Sequence, residues 1–181
     1  MTTFIWVAVV AVAVVALAAV GYVVLQQRRR GHLRERFGPE YERIVAEHDN
    51  RREAEQELLD RERRHSELGI HPLTDESRDT YANRWTEVQE RFVDAPGFAV
   101  TEADQLVTAV MAERGYPTED FEQRLSTLSV GHAETLDHYR TAHEISGRAA
   151  RKEASTEDLR QAMVHYRALF EELLQETTRG R

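Results

Sequence analysis

Apolar and polar residues fall into two regimes along this chain. From Phe4 to Leu25 it reads FIWVAVVAVAVVALAAVGYVVL, without a charged side chain. After Gln26 apolar residues recur mostly at helical spacing on a strongly charged background. A helix rises about 1.5 Å per residue, so the first stretch spans roughly 30 Å, the thickness of a bilayer's hydrocarbon core. Valine, leucine, isoleucine and phenylalanine each favour insertion by roughly 0.3–0.6 kcal/mol at the helix centre. Trp6 and Tyr22 stand near the two ends, where amphipathic rings suit the headgroup level. A transmembrane helix over 4–25 is therefore expected. Ala16-Leu17-Ala18 resembles a small-x-small cleavage site. A signal peptide, however, combines a positive n-region with a short apolar core. Met1-Thr2-Thr3 carries no charged side chain and the run is long, so an uncleaved anchor is expected. Close helix pairing in lipid uses small residues four apart. None of Ala8, Ala11, Ala13, Ala16, Ala18, Ala19 and Gly21 has that spacing, so the span itself is not expected to dimerise.

Charge sets the orientation. Arg28, Arg29, Arg30, Arg34 and Arg36 follow the span directly. Positive flanks stay in the cytoplasm. Residues 1–3 are thus expected outside and the C-terminal bulk at the cytoplasmic face of the cell membrane. The strip reads as topology setting, with recognition of anionic lipid as its alternative.

Beyond the strip, Gly38-Pro39 interrupts the helix, and proline suits the first turn of the next. Residues 40–68 are dense in Glu and Arg, with acid-to-base pairs Glu47/Arg51, Glu57/Arg61 and Asp60/Arg64 at i,i+4. Tyr41, Ile44 and Val45 begin an apolar seam that Leu58, Leu59 and Leu68 resume, but His48, Arg52 and Glu55 fill it between. A coiled coil needs that seam sustained. The stretch 26–70 therefore predicts a basic strip and a solvated charged spacer helix, with a parallel dimer as the alternative.

Gly69-Ile70-His71-Pro72 ends the spacer. From 71 to 176 the periodicity predicts a compact bundle of four longer helices and one short one. Thr74 or Asp75 can cap a helix carrying Tyr81, Trp85, Val88 and Phe92 on one face. Asp94-Ala95-Pro96-Gly97 opens a helix with Val100, Ala103, Val107, Val110 and Met111 on one side, closed by Gly115 and Tyr116-Pro117. Thr118-Glu119-Asp120 starts the short helix with Phe121, Leu125 and Leu128. The next carries Leu136, Tyr139 and Ala142 or His143. Ser155 with Asp158 forms a short version of the capping box ahead of Leu159, Met163, Tyr166, Phe170 and Leu173. The tail 177–181 is expected to fray. Strand alternation is almost absent, so the fold class is all-α: a transmembrane helix, a charged spacer helix and a bundle of four to five helices.

The 181 residues include no cysteine, which excludes disulfides and cysteine metal sites. A net charge of −8 argues against nucleic acid, whose phosphates need a basic face. Candidate chemistry is sparse. His132, His138, His143 and His165 lack the i,i+4 spacing of a helical zinc pair, and His143-Glu144 does not continue into HExxH. No glycine-rich phosphate loop or GxSxG elbow occurs. His138-Tyr139-Arg140 recurs as His165-Tyr166-Arg167, a duplicated recognition element or a coincidence of two helices that bury a tyrosine; coincidence is expected. No metal, cofactor or catalytic residue is assigned. Tyr139, His143, His165 and Tyr166 are the candidates for a ligand or an interaction.

Four segments carry a family resemblance: Leu33 to Tyr41 (LRERFGPEY), Gln89 to Asp94 (QERFVD), Glu102 to Val107 (EADQLV) and Glu153 to Phe170 (EASTEDLRQAMVHYRALF). Between Leu33 and Leu174 the chain resembles a widespread family of uncharacterised bacterial single-pass membrane proteins with a C-terminal helical domain. The resemblance implies a bacterial membrane protein and brings no activity, cofactor or site. The expected function is a membrane-anchored helical interaction or scaffold module that is not an enzyme. Its partners would be the bilayer and a protein or a second copy of itself. The alternative is a ligand-binding or enzymatic bundle using Tyr139, His143, His165 and Tyr166.

Overall fold

The structure, a computed structural model, describes the backbone of residues 2–175 and the side chains of Trp6 and of residues 14–175. Among the described residues there are eight helices and no strand: α1 (Thr2–Phe37), α2 (Pro39–Glu47), α3 (Arg51–Glu67), α4 (Asp75–Arg91), α5 (Pro96–Glu113), α6 (Phe121–Gly131), α7 (Leu136–Ala150) and α8 (Thr156–Gln175). The all-α expectation is met. The tail 177–181 lies outside the described residues. The chain divides into two compact units, 1–58 and 59–181.

In the first unit α1 runs unbroken through both the apolar stretch and the arginine strip. Among the described residues no helix is long and apolar enough to cross a membrane. The side chains of 4, 5 and 7–13, which belong to the expected span, lie outside them. Every described side chain from Val14 to Leu25 is exposed, Leu17 at 72% and Leu25 at 68%. Gly38, at φ 48°, ends α1, and Pro39 opens α2.

Two expectations about the spacer are corrected here. It is not one helix: His48 turns extended and Asn50 restarts the chain, its Oδ1 accepting from Arg52 N at 3.0 Å. Asn50 with Glu53 three residues on is a helix-start signal that the reading of the spacer as one helix passed over. Nor is it a solvated rod. Leu33, Phe37, Tyr41, Ile44, Ala54 and Leu58 are all buried. Glu55, which looked like a break in the seam, is 3% exposed and accepts from Tyr41 Oη at 3.0 Å and Arg30 Nε at 3.1 Å. A buried carboxylate is tolerated when it is paired and hydrogen-bonded in this way. The strip is drawn into the same arrangement, Arg34 pairing with Glu42 at 3.1 Å and Arg29 with Gln56 at 3.4 Å.

The second unit holds the bundle, and its compact region begins before His71, within α3. Thr74 caps as expected, accepting from Ser77 N; at the start expected over 118–120 Asp120 is the cap and accepts from Gln123 N, while the turn at 94–97 opens α5 without a side-chain cap. Ser155 and Asp158 close a reciprocal box, Ser155 N donating to Asp158 Oδ2 at 2.8 Å and Asp158 N to Ser155 Oγ at 3.1 Å. Helix α8 packs on α5 and α7, α4 on α5, and α6 on α7. The anticipated stripes meet in one core, where Trp85 stacks on Phe170 at 4.6 Å. Phe92 is only half-buried, at the edge of α4 rather than within its stripe. Gly115, at φ +92°, is required by space as well as conformation, since a Cβ there would stand 2.9 Å from the Gly69 carbonyl oxygen.

Candidate functional site

The short connection after α7 folds α8 back against it, and this brings the two His-Tyr-Arg triplets face to face. Tyr139 and Tyr166, both fully buried, meet edge to face with centroids 6.2 Å apart. Beside them the Nδ1 atoms of His138 and His165 lie 2.7 Å apart, on the surface of the hairpin. Each triplet buries its tyrosine, as the expected reading of the recurrence had it, and the two triplets also lie together in space. Burial and the neighbouring His138 charge lower the His165 pKa.

Three of the four expected residues converge on one place. His143 lies flat on Phe121, with centroids 3.7 Å apart, and 6.4 Å from the Tyr139 ring. Asp104 of α5 reaches in, its Oδ1 3.9 Å from His143 Nδ1. Arg124 of α6 donates to Thr108 Oγ1 at 2.8 Å and lies over the Phe121 and Tyr139 rings. His165 stands apart from this cluster, turned to His138.

The cluster is polar but poorly satisfied. Asp104 Oδ1, Arg124 Nε, Tyr139 Oη, His143 Nδ1 and Tyr166 Oη are buried without a hydrogen-bond partner. Asp104 and Arg124 were missed in the sequence, although Asp104 left a readable sign. It falls at the 4-3-4 spacing of Val100, Asp104, Val107 and Met111, a carboxylate on an apolar face. Arg124 left no comparable mark.

The electrostatics move the clustered phenols and the carboxyl away from neutrality. Acid–base chemistry needs pKa values brought toward neutrality. Burial and the Asp104 charge push both phenols further up. For Asp104 burial acts upward, but the nearby polar groups of His143 and Tyr166 and the His143 and Arg124 charges outweigh it and hold the carboxyl below its usual range. Tyr81, at the edge of the core, is likewise pushed up to about 12 by burial and by its bond to Glu113.

A second buried chain of contacts involves Glu172, farther along α8. His132, 1% exposed, contacts Glu172 Oε1 through Nδ1 at 2.8 Å and Tyr116 Oη through Nε2 at 2.9 Å. Thr135 Oγ1 donates to the other Glu172 oxygen at 2.6 Å. Carboxylate, imidazole and hydroxyl in series repeat the logic of a catalytic triad. Tyr116, however, is 4% exposed, so no substrate reaches its oxygen in this conformation. Arg114, equally buried, ties this end by donating to the Leu173 and His71 carbonyls. The chain reads as a fastening between the α6–α7 turn and the end of α8.

Among the described residues no group of three or more His, Asp and Glu side chains is placed to hold a metal ion. A shallow cavity of about 190 Å³ opens between α4 and α8, lined by Gln89, Phe92, Arg160, Met163, Val164 and Arg167. No protein-family model, curated protein or solved structure matches this chain.

Proposed function

We propose that the protein is a membrane-anchored helical interaction module. The N-terminal part of α1 would sit in the bilayer and the two helical units at its cytoplasmic face. The observation that carries this reading is the unbroken row of exposed apolar side chains from Val14 to Leu25, continuous in one helix with the arginine strip. A water-soluble helix hides such a row against a partner element, and exposed apolar patches of this extent mark membrane or protein contact. The resemblance to bacterial single-pass proteins supports the same placement. The test is paired reporter fusions after Arg181 together with crosslinking in intact cells. A cytoplasmic reporter should be active, an extracytoplasmic one silent, and a protein partner or oligomer recovered. Opposite reporter activities overturn the orientation, and recovery of monomer alone overturns the interaction role.

The second reading, a small-ligand-binding or enzymatic bundle using Tyr139, His143, His165 and Tyr166, has one supporting feature. The five unpartnered polar atoms around Asp104 are what a bound polar molecule would satisfy. Native mass spectrometry of the whole chain should then show added mass that Asp104→Asn loses. The bare protein mass overturns this reading.

A further inference from the structure

We infer that the groove between α4 and α8 is where the module holds its partner, and that the partner offers an acidic amphipathic segment: one apolar side chain flanked by two carboxylates. This rests on the interaction reading above and names its surface. The floor is Phe92, Met163 and Val164, and the volume of about 190 Å³ suits a single large apolar side chain. Val164 is 54% exposed although it lies on an amphipathic helix of the bundle, and Val93, which follows Phe92 in the chain, is 83% exposed. Methionine adapts to irregular partners, and Arg and aromatic residues are enriched at interface centres.

The charge on the rim selects the partner. Its ionisable residues are Arg160 and Arg167, with Gln89 opposite and no carboxylate in the lining. In a chain of net charge −8 the groove thus presents only cationic side chains in its lining, their balancing carboxylates standing just outside it. The two arginines are seven residues apart on α8, hence on one face and about 10 Å apart along its axis. Each now bonds an acidic residue of its own helix, Arg160 with Glu157 and Arg167 with Glu171. These are solvent-exposed pairs at i,i+3 and i,i+4, a class worth only a few tenths of a kcal/mol. They hold the guanidinium groups at the rim, and a partner carboxylate that shields them from water displaces them at little cost. A lipid surface would meet the same arginines but would not need the apolar recess between them.

The test places a photo-crosslinking phenylalanine analogue at Val164 in the full chain in intact cells, with the same probe at Glu144, an exposed position on α7, as control. Mass spectrometry of the crosslinked peptide should show an acidic amphipathic segment of another protein. Its yield should fall at least tenfold in Arg160→Glu/Arg167→Glu, and comparably in Arg160→Gln/Arg167→Gln, which removes the charge without adding repulsion. Both arginines are exposed, so the thermal transition should hold in these variants and separates lost docking from lost folding. A basic or wholly polar segment, a lipid, a second copy of this chain, or no yield above the Glu144 control overturns the inference. If chemical crosslinking finds a partner that the Val164 probe does not, the groove is wrong and the anchored module stands. If neither finds one, both fail.

Discussion

His138 and His165 can share one proton between their Nδ1 atoms but not hold two without repulsion, and the consequence can be measured. The His165 pKa is lowered in the folded chain, so between its folded and unfolded values the unfolded state binds more protons. Stability from this group is complete above about pH 6.5, the unfolded value, and declines as pH falls toward the folded value. Chemical denaturation at pH 7.5 and 5.5 should show a larger acid loss in the parent than in His165→Gln. Equal losses would mean that burial and the neighbouring His138 do not lower the His165 pKa in the folded chain. Tyr166 permits a second measurement. Its hydroxyl is buried and unpartnered, so Tyr166→Phe removes a desolvation penalty and should raise stability by up to about 1 kcal/mol. A loss of 1 kcal/mol or more would show that the hydroxyl has a partner and would favour the ligand-binding reading.

Among the helices, start signals were the most legible feature. Thr74, Asp120 and Ser155 cap where their side chains and positions indicate, because capping depends on residues three apart and on nothing distant. Ser155→Ala should cost about 1 kcal/mol of the bundle's stability, read by urea denaturation at neutral pH. A cost under a few tenths would mean that the box adds nothing beyond tertiary packing. The spacer was less legible. Its charge density read as a solvated helix, yet Asn50 divides it and Tyr41, Ile44, Ala54 and Leu58 are buried. An apolar seam interrupted by polar residues fails as a coiled coil but suffices for a short helical unit when Tyr41 and Arg30 satisfy the intervening Glu55.

On the scale of the whole chain, the apolar row on α1 and the charged helices that follow it make opposite demands on solvent, which the proposed anchoring in a bilayer with water beside it would meet. Val14→Arg/Leu17→Arg places two cations in the expected span, each costing roughly 2.5–3.5 kcal/mol at the helix centre. The full chain should move from the membrane to the soluble fraction on cell fractionation. Retention at parental levels would mean that α1 is not the anchor.

The local grammar of the chain determined the helical class, the helix starts and the stripes that form the core, because helical period and capping chemistry operate over three or four residues. Asp104 could have been read as well, since its spacing already set a carboxylate among apolar neighbours. Only the tertiary structure decided that His138 meets His165, that Arg124 arrives from α6 beside Tyr139, and that Glu172 orients His132. Those meetings join residues far apart in the chain, and no periodicity within one helix specifies which face of the next lies against it.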